Sequence, residues 1–110
     1  MDEIFDRHIL EELQLIMAED FPVLMDTFLN DSLRLLNEIE KDWQDNDMDS
    51  LHRNAHSLKG SCSNVGATSV QKACAKLESC ARHGEQCDLP ELVADVSSKL
   101  QLFCDALRAL

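Results

Sequence analysis

The chain has 110 residues, 45% of them apolar, and a formal net charge of −11. That length suffices for one domain over residues 1–110 with a modest core, and so large an acidic excess argues against nucleic acid as a partner. Three glycines, two prolines and no tyrosine favour a helical protein over a sandwich or barrel.

Five helices are predicted in chain order. The first spans roughly Arg7–Ala18, with Asp6 as its cap and Ile9, Leu10, Leu13, Ile16 and Met17 as its apolar side. Pro22 fits the first turn of a long second helix that runs to about Asn46. Its stripe is Phe21, Met25, Phe28, Leu35, Leu36, Ile39 and Trp43, interrupted by Ser32. Asp45-Asn46-Asp47 forms a turn, and Asp47 or Asp49 caps the third helix. Within Asp49–Val65 the residues Leu51, Ala55, Leu58, Cys62 and Val65 recur at steps of three and four, one stripe of an α-helix. Gly66 ends that helix. The fourth continues to about His83 on Val70, Ala73, Cys74, Leu77 and Ala81, with Gly84 as its stop. Pro90 opens the last helix, whose core side is Leu92, Val93, Val96, Leu100, Phe103 and Leu107. Short connections between long amphipathic helices make antiparallel neighbours. The predicted fold is all-α: an up-and-down antiparallel four-helix bundle with a short N-terminal capping helix.

Charge is unevenly spread. Residues 1–50 carry a net of −12, residues 51–84 a net of +4 and residues 85–110 a net of −3. Glu78 is the one acid of the basic stretch, beside Arg53, Lys59, Lys72, Lys76 and Arg82. A partner site rich in carboxylates is drawn to such a stretch. The five cysteines are odd in number and contain no CxxC pair. Cys62, Cys74 and Cys104 fall on or near apolar faces, so they read as small core residues in a reduced compartment rather than as a disulfide framework or zinc site. No apolar run approaches the roughly 20 residues that cross a bilayer. The start, Met-Asp-Glu-Ile-Phe-Asp, lacks the basic opening of a signal peptide. A cytoplasmic protein, off the membrane and complete from Met1 to its last helix, is expected.

The most informative stretch is Ala55-His56-Ser57-Leu58-Lys59-Gly60. At about 100° per residue, His56 lies roughly 140° from the centre of the apolar stripe and faces water. Lys59 and Gly60 follow at three and four residues, where helical side chains are neighbours. Gly60 is an odd choice, because glycine inside a helix costs about 1 kcal/mol relative to alanine. Beside an exposed ring it leaves clearance for a bulky group. An exposed imidazole is mostly neutral at pH 7 and offers a free ring nitrogen as nucleophile, here Nε2, the atom farthest from the backbone. Lys59 supplies a mobile positive charge for phosphoryl oxygens. Ser63, on the same side, offers a hydroxyl. No Walker motif or glycine-rich nucleotide loop is present, so ATP chemistry has no site here.

From Ala55 to Ala67 the sequence resembles the signature of bacterial histidine-containing phosphotransfer (HPt) domains, with Lys59, Gly60 and the Asn64–Gly66 corner all in pattern. Cys62 stands where that family often has a smaller residue. The resemblance implies a phosphocarrier rather than an enzyme. A helix-borne histidine takes a phosphoryl group from the receiver domain of a hybrid histidine kinase and gives it to the receiver of a response regulator. The receiver is then expected to contribute the aspartate and Mg2+, with no cofactor on this chain. It is also expected to dock across the histidine helix and the second helix, near the bundle end. Leu29 and Leu33 would offer apolar contact there, and Arg53, Lys72 and Lys76 charge. A monomer displays His56 without obstruction.

Other readings remain at this stage. His52 and His56 stand four apart, the spacing of two metal ligands on a helix, but a site needs a further ligand such as His8 or His83 from another helix. The dimerisation region of a histidine kinase usually carries an acid just after its histidine and a proline soon after, whereas Ser57 follows here and the next proline is Pro90. The phosphoacceptor domain of a chemotaxis-type kinase shares the pattern. A structural helical adaptor is the plainest alternative.

Overall fold

Three of the helices begin on an aspartate whose carboxylate accepts from the first turn's orphan N–H groups. Asp6 Oδ1 accepts from the backbone of His8 and Ile9, Asp47 from Ser50 and Asp88 from Glu91. The computed structural model describes residues 4–83 and 88–109. It contains α1 (Arg7–Met17), a 3-10 turn (Ala18–Asp20), α2 (Phe21–Gln44), α3 (Met48–Val65), α4 (Thr68–His83) and α5 (Leu89–Arg108). The fold is the antiparallel four-helix bundle expected, α2 to α5, with α1 laid against it. Pro22 and Pro90 sit in the first turns of α2 and α5, where a missing N–H leaves no bond unmade.

Two boundaries fall short of the sequence reading, for one reason. Ala18 (φ 46°) and Asn46 (φ 58°) adopt left-handed backbone, so α1 stops at Met17 and α2 at Gln44. Asp47, not Asp49, is the α3 cap. Gly84 lies outside the described residues.

The core runs the length of the bundle. Leu35 and Ile39 of α2, Leu51 and Leu58 of α3, Val70 and Leu77 of α4, and Val96 and Phe103 of α5 are all buried. Phe28 meets Phe103 edge to face, with ring centroids 5.5 Å apart. Ser32 is fully buried within the α2 stripe, the polar interruption predicted there. Trp43 is half-buried. On α1 only Leu10 is fully buried. Ile16, expected on the covered side, is 75% exposed, because α1 packs on the bundle as a cap and covers a narrower strip than a bundle helix.

Gly66 is where that cap attaches. It ends α3 at φ 74°, and its carbonyl accepts from Asp6 N at 2.7 Å. A Cβ there would lie 3.1 Å from Ile9 Cβ and 3.2 Å from the Asp6 carbonyl oxygen. Between α2 and α3, the buried Asp42 accepts from Asn54 Nδ2 at 2.7 Å, and Asn54 also donates to Ser50 Oγ. This polar contact sets the rotation of α3 against α2.

Cys62, Cys74 and Cys104 are free and buried, as expected of core residues. Cys80 corrects the expectation of cysteines without a disulfide: it is disulfide-bonded. An odd count excludes complete pairing but not one bridge. No described helix is long and apolar enough to cross a membrane.

Gly66→Ala is expected to destabilise the protein by about 2 kcal/mol through left-handed backbone strain and the crowded Ile9 contact. Urea denaturation checks it, as a lower midpoint at unchanged slope. Leu58→Ala, which empties a fully buried site, should cost about 3 kcal/mol by the same measurement.

Candidate functional site

Burial of Leu51, Ala55, Leu58, Cys62 and Val65 fixes which way α3 turns its remaining side chains. His56 emerges beside this stripe with its side chain 64% exposed, leaning over the seam with α4. Across that seam stands Glu78, only 12% exposed. Its Oε1 lies 2.7 Å from His56 Nδ1 and its Oε2 lies 2.6 Å from Lys59 Nζ. His52, one turn before His56, brings Nε2 to 3.6 Å from the same Oε1. The two imidazoles are nearly parallel, 16° apart with centroids separated by 6.4 Å.

One carboxylate therefore faces three basic side chains from successive turns of a single helix. Burial by itself pushes the pKa of Glu78 up. The hydrogen bonds and charges of Lys59 and His56 outweigh it and hold the carboxyl below its ordinary value. An ionised carboxylate accepts only, so Nδ1 of His56 must be the donor. That choice sets the tautomer: the proton resides on Nδ1, and Nε2 keeps its lone pair on the exposed side of the ring.

Gly60 is exposed, and a Cβ built there meets nothing within 4 Å. The fold itself does not require glycine at this position. Ser63 is exposed but lies two turns beyond His56, about 10 Å along the helix axis, too far for a hydrogen bond to the ring. Arg53 is exposed on the histidine helix.

The remaining predicted partner residues are not gathered at the histidine. Lys72 and Lys76 line a cleft between α4 and α5 with Asp95 and Lys99. Leu29 is half-buried and lines a different cleft with Phe21, Pro22 and Leu107. Leu33 is 51% exposed on α2. His56 itself stands at mid-helix on the α3–α4 seam rather than at the bundle end. His8 pairs with Glu12 on its own helix, and His83 is exposed in the last turn of α4. No group of three or more metal-ligating side chains occurs among the described residues.

Glu78 is the residue that sequence reasoning missed. Its signal was present: a lone acid among five bases, directly after the buried Leu77. What periodicity could not supply was the pairing of α3 with α4 that brings residue 78 opposite residue 56.

A nucleophilic nitrogen freed by a carboxylate, a cation one turn on and open space beside it suit the transfer of a group to and from a histidine. The solved structure of histidine-containing phosphotransfer protein B (HptB) from Pseudomonas aeruginosa PAO1 superimposes with a TM-score of 0.93 at 32% identity, covering 99% of this chain and 95% of that one. No curated protein matches in sequence. The family model of the Hpt domain matches residues 23–110. With His56 in the motif and the whole described bundle shared with that structure, the chain belongs to the Hpt domain family.

Proposed function

We propose that this chain is a phosphorelay carrier. His56 accepts a phosphoryl group from the receiver-domain aspartate of a hybrid sensor kinase and passes it to the aspartate of a response regulator. The observation that carries this reading is the 2.7 Å contact between His56 Nδ1 and Glu78 on an otherwise exposed ring. It prepares Nε2 as a nucleophile without any base having to remove a proton.

In the accepting step the Nε2 lone pair forms the N–P bond while the bond from phosphorus to the aspartyl oxygen breaks, and the aspartate leaves as a carboxylate. The ring retains its Nδ1 proton and becomes a phosphorylated imidazolium whose charge faces Glu78. In the donating step a receiver carboxylate attacks phosphorus, the N–P bond breaks and neutral imidazole departs. Lys59, one turn from the ring, compensates charge on the phosphoryl oxygens. Gly60 leaves room for in-line approach. Mg2+ in this scheme belongs to the receiver. Docking over the exposed face of α3 brings Arg53 to the receiver's acidic pocket, and Leu33 extends the contact onto α2. The interface is small and transient, since the carrier must leave one receiver to meet the next.

Incubation with a phosphorylated receiver domain tests the reading. Acid-labile label is expected on the wild-type chain and none on His56→Gln; equal labelling of the two would refute it. Gly60→Ala is expected to raise stability by about 1 kcal/mol, because helix propensity improves and nothing clashes, while slowing phosphoryl transfer. Paired denaturation and transfer assays read both effects.

Glu78 makes the site pH-dependent in a defined sense. Its folded-state value is depressed from 4.5, so its contribution to stability is present above that pH and is lost as pH falls through the folded value. The stability deficit of Glu78→Gln should accordingly be full at neutral pH and shrink as pH falls below 4.5, as followed by denaturation at a series of pH values. The same variant should transfer phosphoryl about tenfold more slowly at neutral pH, equivalent to about 1.4 kcal/mol of transition-state stabilisation.

A further inference from the structure

His52 is not part of the recognised motif, yet its Nε2 is buried and has no hydrogen-bond partner. Buried polar atoms without partners are uncommon in folded proteins and call for a reason. The group facing this nitrogen is Glu78 Oε1, 3.6 Å away, a few tenths of an ångström beyond hydrogen-bonding range. A lone pair on the buried Nε2 would oppose the lone pairs of the carboxylate. The Nε2–H form is therefore the one that fits. His52 is a donor held just short of an acceptor that is already engaged: Lys59 occupies Oε2 at 2.6 Å and His56 occupies Oε1 at 2.7 Å.

Phosphorylation of His56 disturbs that balance. A phosphoryl group brings nearly two negative charges and strong acceptor oxygens. Lys59 is the flexible cation one turn away. As its ammonium turns to those oxygens, Glu78 keeps only one donor although it is 12% exposed, a costly state for a carboxylate. His52 Nε2–H needs to move by less than 1 Å to replace the lost bond.

We propose that His52 is a positioning residue for phosphoryl transfer: it donates from Nε2 to Glu78 as Lys59 turns to the phosphoryl group, and so keeps the carboxylate on Nδ1 of His56. The exchange is one of hydrogen bonds only; no proton changes owner. It rests on the phosphocarrier reading above.

Phosphoramidate, a small-molecule phosphoryl donor, tests it without any receiver. The readouts are the rate of His56 phosphorylation and the imidazole 15N and 1H resonances before and after labelling. In the wild type the His52 Nε2–H resonance is expected to shift toward a hydrogen-bonded position on phosphorylation. His52→Phe keeps a flat ring against His56 but has no N–H. It should be labelled about tenfold more slowly, the order of loss seen when an orienting partner is removed, and its phosphorylated His56 should lose the hydrogen-bonded Nδ1–H signal. His52→Gln, whose amide N–H has comparable reach, should restore both. A His52 resonance unmoved by phosphorylation in the wild type overturns the proposal and needs no variant to fold. So does a His52→Phe protein with wild-type rate and His56 signal, or a His52→Gln protein as impaired as His52→Phe. Failure of phosphoramidate to label wild-type His56 at all would instead sink the phosphocarrier reading itself.

Discussion

The carboxylate of Glu78 is the constraint on which the site depends. It reaches from α4 to three basic side chains of α3, two of them at 2.7 Å and 2.6 Å. A carboxylate so little exposed is tolerable only because it is paired on both oxygens. The same pairing decides which imidazole nitrogen carries the proton and where Lys59 rests. The chemistry proposed for His56 is thus set by an acid that never touches the transferred group.

For that carboxylate to reach, the two helices must pack closely, and small residues allow it. Ala55 and Cys62 of α3 and Ala73, Cys74 and Ala81 of α4 are buried, leaving little bulk between the backbones. The neighbouring Cys74 thiol and burial together push the Cys62 thiol far up, so this thiol is packing rather than chemistry. On the other flank, Asp42 and Asn54 tie α3 to α2. Held from both sides, α3 cannot rotate, and the direction in which His56 points follows from that.

Gly60 and Gly66 illustrate two uses of one residue. At Gly66 the backbone is left-handed and α1 packs directly over it, so folding demands glycine. At Gly60 the helix is regular and the space around an added Cβ is empty. A glycine that the fold does not need, placed next to a nucleophile, is best understood through whatever approaches from outside.

Local rules carried much of this structure. Apolar spacing of three and four, aspartates at helix starts, prolines in first turns and Gly66 after α3 each act within about one turn of chain, so five helices and the exposed position of His56 were legible in the sequence. The positive φ of Ala18 was not, since alanine is not a residue type that favours such backbone. The sequence by itself also determined Lys59 and Gly60 as neighbours of His56, because helical geometry joins residues three and four apart. Only the tertiary structure decided that Glu78 stands opposite them, that His52 shares its carboxylate, and that Lys72 and Lys76 face α5 instead. Those relations depend on the register of α3 against α4, and register is settled by side-chain packing across the seam, which no spacing within one helix encodes.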